Sequence, residues 1–224
     1  MSGNERLPLL PLDDTVVLPG MAVPVELDGA EARVAVEAAG AQEGTGRVLL
    51  VPRLHGRYAG VGTVAVVEQV GRLPGGQPGA LVRGTARARV GAGATGPGGA
   101  LWVEVTVLAD EAVDEGAREL AREYRGLVVS VLQARGAWQL IDGVQRVTDP
   151  SAVADTAGYA SHLTAEQELT LLETPDVAAR LRLAIGWARE HLAELEVAET
   201  IRKDVQEGMD RQQREFLLRR QLAA

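Results

Sequence analysis

Lys203 is the only lysine among the 224 residues, and Asp204 follows it directly. A P-loop needs Gly-x-x-x-x-Gly-Lys-Ser/Thr to cradle phosphates, so nucleotide binding of that kind is excluded. His55, His162 and His191 are isolated from one another in the chain. His191 has a carboxylate at helical spacing, Glu194, and a lone pair three residues apart reads as a helix-surface contact rather than half a metal site. Cysteine is absent, which removes disulfides, thiolate nucleophiles and zinc–cysteine centres together. Asp13 and Asp14 are adjacent carboxylates, but between two apolar runs they read as a turn. Arg83, Arg87 and Arg89 share one parity with Thr85 in an alternating run. They read as a solvated strand face, with a nucleic-acid stripe as the alternative.

Charge weighs against that alternative. The net charge is −8. Up to Asp110 there are 9 arginines against 11 acidic residues, net −2; beyond it 14 basic residues face 20 acidic ones, net −6. Neither part supplies the basic surface that phosphate-backbone binding needs. Hydrophobic residues make up 46% and aromatics only 3%, so a core must be mostly Leu, Val and Ala. Residues 1–6 are polar and prolines interrupt the apolar run after them, unlike a signal peptide. No stretch approaches the ~20 uninterrupted apolar residues of a membrane span. A reducing cytosol suits this composition, and a cytoplasmic protein is expected.

The chain is organised around Leu7–Leu27, LPLLPLDDTVVLPGMAVPVEL. Pro8, Pro11, Pro19 and Pro24 each fix φ and remove a donor, which dictates extended strand with turns at Asp13-Asp14 and Pro19-Gly20. A strand at Val25–Leu27 should lead into a helix over Ala30–Ala39, with Asp28 as N-cap and Glu31 as its acidic partner. Ala32, Val36 and Ala39 would cover a sheet face, and Gly40 would end the helix. Strands are predicted over Arg47–Arg53, Gly60–Leu73, Ala80–Val90 and Leu101–Ala109. Loops are predicted at Pro74–Gly79 and Gly91–Gly99.

From Glu111 the helical period takes over. Leu120, Tyr124, Leu127, Val128, Val131 and Leu132 mark an amphipathic helix over Glu115–Arg135, stopped by Gly136. Asp149-Pro150 is an N-cap followed by proline, opening a helix over Ser151–Leu163. Thr164–Gln167 is a capping box for a short helix ending near Leu172. Thr174-Pro175-Asp176 starts a last helix that no later proline interrupts. Unbroken to residue 224 it would reach about 75 Å, with Gly186 and Gly208 as weak points. The expected architecture is α+β: a β-rich part over 1–110, then a helical part over 111–224 ending in a long projecting helix from about 175.

Two groups of residues are candidate contacts. Met21, Tyr58 and Trp102 could form an apolar spot near loops, with core packing as the plain alternative. On the last helix, Val177, Leu181, Ala184, Ala188, Leu192 and Leu195 form a broad stripe for packing. Beyond Val197 the stripe narrows to Ile201, Val205, Met209, Gln212 and Phe216. The chain's remaining mass cannot bury it, so it should face a partner. Methionine suits an adaptable apolar contact with varied polypeptides.

The opening run resembles the LPLLPLRDTVVFPGMVVPL-like start of the Lon family of ATP-dependent proteases. Asp13 stands where many members carry Arg, and Leu18 where many carry Phe. RVLLVPR, Tyr58, GVGTVA, LVRGTARARV and LWVEVTVLADE are similar to later elements of that family's N-terminal domain. So is TIRKDVQEGMDRQQREFLLRRQL, where Gln213-Arg214-Glu215 and Leu218 match in place and Phe216 and Leu217 replace two tyrosines. The resemblance covers essentially the whole chain. It implies a PUA-like β-fold and a job in recognising unfolded or damaged protein substrates. It implies other Lon subunits as partners in a homohexamer, and a longer protein of which this is the N-terminal region. The family's ATP and Mg²⁺ belong to an ATPase module, and its Ser–Lys proteolytic dyad has no counterpart near Lys203. This segment is therefore expected to hold no cofactor, no metal and no catalytic residue. The rival readings are a free-standing adaptor of the same fold and a PUA-type RNA binder using Arg83, Arg87 and Arg89.

Overall fold

The computed structural model describes residues 5–42 and 46–222, with side chains to residue 214. Seven strands come first: β1 Glu5–Asp13, β2 Ala22–Glu26, β3 Arg47–Leu54, β4 Arg57–Tyr58, β5 Val61–Arg72, β6 Pro78–Thr95 and β7 Leu101–Leu108, with α1 Ala30–Gly40 between β2 and β3. The order β1-β7-β6-β5-β3 closes on itself, because β1 also pairs in parallel with β3 from Leu9↔Leu49 to Asp13↔Arg53. Closure removes the edges that an open sheet would expose. β2 lies against β6 and β4 against β3.

The pleat sorts side chains into two sets. Leu7, Leu9, Leu49, Val51, Val64 and Val103 form one buried cluster on the barrel strands. The alternate residues, Leu10, Leu12, Val48, Leu50 and Ala65, belong to a second cluster with α1 and the helices that follow. Those helices are α2 Glu115–Ala134, α3 Ile141–Arg146, α4 Pro150–Asp155, α5 Ala165–Glu173 and α6 Val177–Leu222. Tyr124, Val153, Leu171, Leu172, Leu181 and Ile185 bring α2, α4, α5 and α6 into the same core as Leu10 and Val82.

Local signals hold at most helix ends. Asp114, Asp149 and Thr164 cap α2, α4 and α5 through their side chains, and Thr164 with Gln167 completes the capping box. Asp176 caps α6 by accepting from the N–H groups of Ala178 and Ala179, so this helix starts at Val177 rather than at Pro175. It then runs unbroken through Gly186 and Gly208.

Several expectations need correction. Gly29, not Asp28, is the N-cap of α1, and no side chain caps it; Glu31 reaches Arg53 instead. The glycine-rich run after Val90 is not a loop up to Gly99. β6 continues to Thr95 against β7, with Gly93 opposite Val103. Glycine fits there because a Cβ at Gly93 would come within 3.0 Å of Val103 Cγ1. Pro78 and Gly79 likewise lie in β6 rather than in the preceding loop. The helix expected to end at Leu163 stops at Asp155 and passes through a 3-10 turn, Thr156–Tyr159.

Candidate functional site: an apolar cleft and an uncovered helix

The end of α2 builds a cleft that the sequence reading missed. The Ala137 N–H donates to the Leu132 carbonyl and the Gly136 N–H to that of Gln133, closing the helix with Gly136 at φ 70°. This is a Schellman closure, which needs a left-handed residue and hence glycine. It turns the chain back across α2 as a 3-10 turn, Trp138–Leu140, and then α3. The Arg125 guanidinium donates to the Val147 carbonyl at 2.9 Å and ties the far end of α3 to α2. Between these elements, the 3-10 turn after α4 and α6 lies a cavity of about 530 Å³, within the range of ligand clefts. Its walls are mostly apolar, with Val128, Leu132, Leu140, Val144 and Tyr159 prominent. The 4–3 spacing of Leu140, Val144 and Val147 was the signal available in the sequence.

Polar groups at the cleft are mostly committed. Burial pushes the Tyr124 hydroxyl above its ordinary range, against a hydrogen bond with Thr156. Thr156 Oγ1 donates to the Val153 carbonyl, and the Tyr159 hydroxyl accepts from the Ala22 N–H. Arg135 caps α2 and donates to Ser161 Oγ at 2.8 Å. The rings of His162 and His191 stack at 4.1 Å, tilted by 9°. Burial, then the neighbouring His191 and Arg135, lowers the His162 pKa, opposed by Glu194. Glu194 does lie 3.5 Å from His191, but the His191 side chain is only 16% exposed and stacks on His162, so the pair is not the solvated surface contact expected.

The candidates named from sequence fall in different places. Met21 is 5% exposed, its sulfur accepting from the Leu18 N–H, so it is a core residue and no part of a surface spot. Trp102 is half-buried and donates through Nε1 to the Pro97 carbonyl. Tyr58 is 45% exposed beneath the Arg53 guanidinium, which also makes a two-pronged ion pair with Asp13. The hydrogen bond from Arg53 holds the Asp13 carboxyl below its usual range. Ile201, Val205 and Met209 lie on α6 in the open, as does Val197; Met209 is 62% exposed. The Phe216 side chain lies outside the described residues.

The arginine stripe does not exist as a face. Arg87 is 3% exposed and grips Asp155 inside the fold, and Arg83 pairs with Glu68. Strand alternation puts Arg87 beside Arg83 and Arg89, but register shifts in β6 and the helices packed over its middle separate their fates. Among the described residues no three potential ligands form a metal site, and no helix is long and apolar enough to cross a membrane.

Residues 6–190 match the model of the ATP-dependent protease La (LON) substrate-binding domain. The chain belongs to the Lon substrate-binding domain family. The Lon protease of Salinispora arenicola is 60% identical over 217 residues, covering 97% of this chain and 28% of that protein. The Lon protease of Mycolicibacterium smegmatis is 53% identical over the whole chain, again across 28% of its own length. The chain thus spans little more than a quarter of these Lon relatives. The N terminal domain of Mycobacterium avium complex Lon protease superposes with a TM-score of 0.78 at 51% identity, covering 84% of this chain and all of that one. The expected two-part Lon fold, β-rich and then helical with a long last helix, is the observed one. The Lon family match stops at Glu190, just after Ala188, the last buried residue of α6 among the described side chains. The cleft lies wholly inside the Lon substrate-binding unit; the Val197–Met209 stripe lies outside it.

Proposed function

We propose that this chain holds unfolded or damaged polypeptides for an ATP-dependent Lon protease, seating apolar client side chains in the cleft beside Leu140 and Val144. The observation that carries this is an open apolar cleft inside the matched substrate-binding unit. Catalysis, ATP and Mg²⁺ belong to other parts of the full-length protease. Six copies brought together would raise the effective concentration of weak sites without a tight single contact. The stripe Ile201–Met209 is the second surface, serving subunit contacts or longer clients.

The test is binding of fluorescently labelled, reduced casein to the chain by anisotropy, with Leu140→Glu and Met209→Asp variants. Loss in the first variant with retention in the second supports the cleft. Retention in both refutes capture at either surface.

A further inference from the structure

The cleft's chemistry narrows what it holds, on the reading that it is the client site. Its lining contains no carboxylate, although the chain carries a net charge of −8. The ionisable groups there besides tyrosine are Arg135 and His162. Several arginines nearby on α2 and α6 are matched: Arg118 and Arg122 pair with Glu115, and Arg189 pairs with Glu123. Arg135 instead bonds a neutral hydroxyl, Ser161 Oγ, and a guanidinium has five donors to offer. One turn before it, Leu132 lines the apolar wall. An anion and an apolar side chain can therefore be satisfied side by side at this end of the cleft.

The other polar groups of the lining already make hydrogen bonds within the fold, except His162, whose Nδ1 is buried without a partner among the described residues. The hydroxyls of Tyr124, Thr156, Tyr159 and Ser161 are engaged within the fold. An internal segment would lay peptide groups over both rims against apolar walls, and unpaired buried peptide groups are costly. A chain end brings fewer of them. It also joins a carboxylate and a side chain at one Cα, the two groups that Arg135 and the neighbouring apolar wall can satisfy. Arginine is suited to gripping a carboxylate with two parallel bonds.

We propose that the cleft recognises the C-terminus of a client polypeptide: an apolar last residue in the pocket of Leu132, Leu140 and Val144, with its α-carboxylate on Arg135. The test uses a short, N-terminally labelled peptide, polar except for a final leucine. Its counterparts carry the same sequence with an amidated end, or an internal Leu-Asp with an amidated end. Anisotropy is read on the full chain and on Arg135→Gln, an exposed position that leaves the core intact. Amidation should weaken binding about tenfold, the worth of one charge-assisted hydrogen bond. Arg135→Gln should weaken the free acid alone and abolish the acid–amide difference, and Leu140→Glu should weaken both peptides. Equal binding of acid and amide, a preference for internal Leu-Asp, no peptide binding, or an acid–amide difference that survives Arg135→Gln each overturns the proposal. Casein separates the two levels: casein lost in Leu140→Glu with no carboxylate preference removes this inference and leaves the cleft as a client site.

Discussion

Arg87 on β6 and Asp155 at the end of α4 meet in a two-pronged pair, Nη1 to Oδ2 at 2.8 Å and Nη2 to Oδ1 at 2.5 Å, with both side chains buried. The Arg87 Nε–H also donates to the Leu172 carbonyl at the end of α5. Arg180, fully buried in the first turn of α6, donates to Asp110 Oδ1 at 2.8 Å and to Ser151 Oγ at 2.8 Å. The two arginines and two aspartates therefore join the barrel, α4, α5 and α6 around one neutral cluster. Removing one partner strands a buried charge. Asp155→Ala should cost about 3–5 kcal/mol in chemical denaturation. Arg87→Met with Asp155→Leu should recover most of it, since apolar replacement of both partners leaves no charge behind. A single variant as stable as the parent would show that the pair is not a joint.

Glu168 gives a pH dependence with a definite sign. Burial raises its pKa from 4.5 to about 7. The native carboxyl therefore holds its proton over a range in which the unfolded one has lost it. Its contribution is fully present below about pH 4.5 and is lost as pH rises through about 7. Glu168→Gln should match the parent at pH 4 and exceed its stability at pH 8, by on the order of 1 kcal/mol once solvent screening of a half-buried group is allowed for. Urea midpoints at the two pH values measure this; equal offsets at both would exclude Glu168 as the source.

His162 works in the opposite direction. Its lowered pKa means that the unfolded chain binds the proton more readily. Stability should fall as pH drops through about 6.5, the ordinary histidine value. His162→Gln should flatten the decline between pH 7 and 5, read as a smaller change in thermal midpoint. An unchanged slope would place the titration elsewhere.

Gly62 in β5 sits where a Cβ would lie 2.5 Å from the Leu50 carbonyl oxygen and 3.2 Å from Val51 Cγ2. The first neighbour is backbone and cannot swing aside. Gly62→Ala should lower stability by about 1–3 kcal/mol, as overpacking does. Gly126→Ala is the control, because nothing lies within 4 Å of its Cβ position on α2. It should be neutral or stabilising by up to ~1 kcal/mol.

Met209→Asp on the uncovered part of α6 should leave the thermal midpoint nearly unchanged, within about 0.5 kcal/mol, because exposed positions away from special features tolerate substitution. Any loss of assembly or client binding would then be a surface effect. A large fall in the midpoint would mean that the stripe is covered after all.

Local chemistry was the most legible part of the chain. Asp149-Pro150 and Thr164–Gln167 placed helix starts because caps act through contacts three residues apart. The proline-marked run placed β1 and β2 because each proline fixes its own φ. What escaped depended on distant partners. Arg87 shares its strand parity with Arg83, and nothing nearby says that Asp155, 68 residues away, will bury it. Closure of the barrel rests on the β1–β3 pairing across α1, which no alternation encodes. The cleft needed the fold-back at Gly136, and its walls come from α2, α3, α6 and two 3-10 turns. Met21 was ambiguous because a methionine beside a turn looks alike from sequence whether it points in or out.

The unbroken α6 also works as a lever. From Ala193 to Leu222 it extends some 45 Å past its anchored turns, at about 1.5 Å per residue. Its root is held between α2 and α4 and pinned by Arg180. A tilt of about 10° at that root would sweep the far end through roughly 8 Å, by the same helix rise. Anything attached there would sense a small repacking around Arg180 as a large displacement, and a pull at the far end would return to the barrel as torque on the Arg87–Asp155 joint.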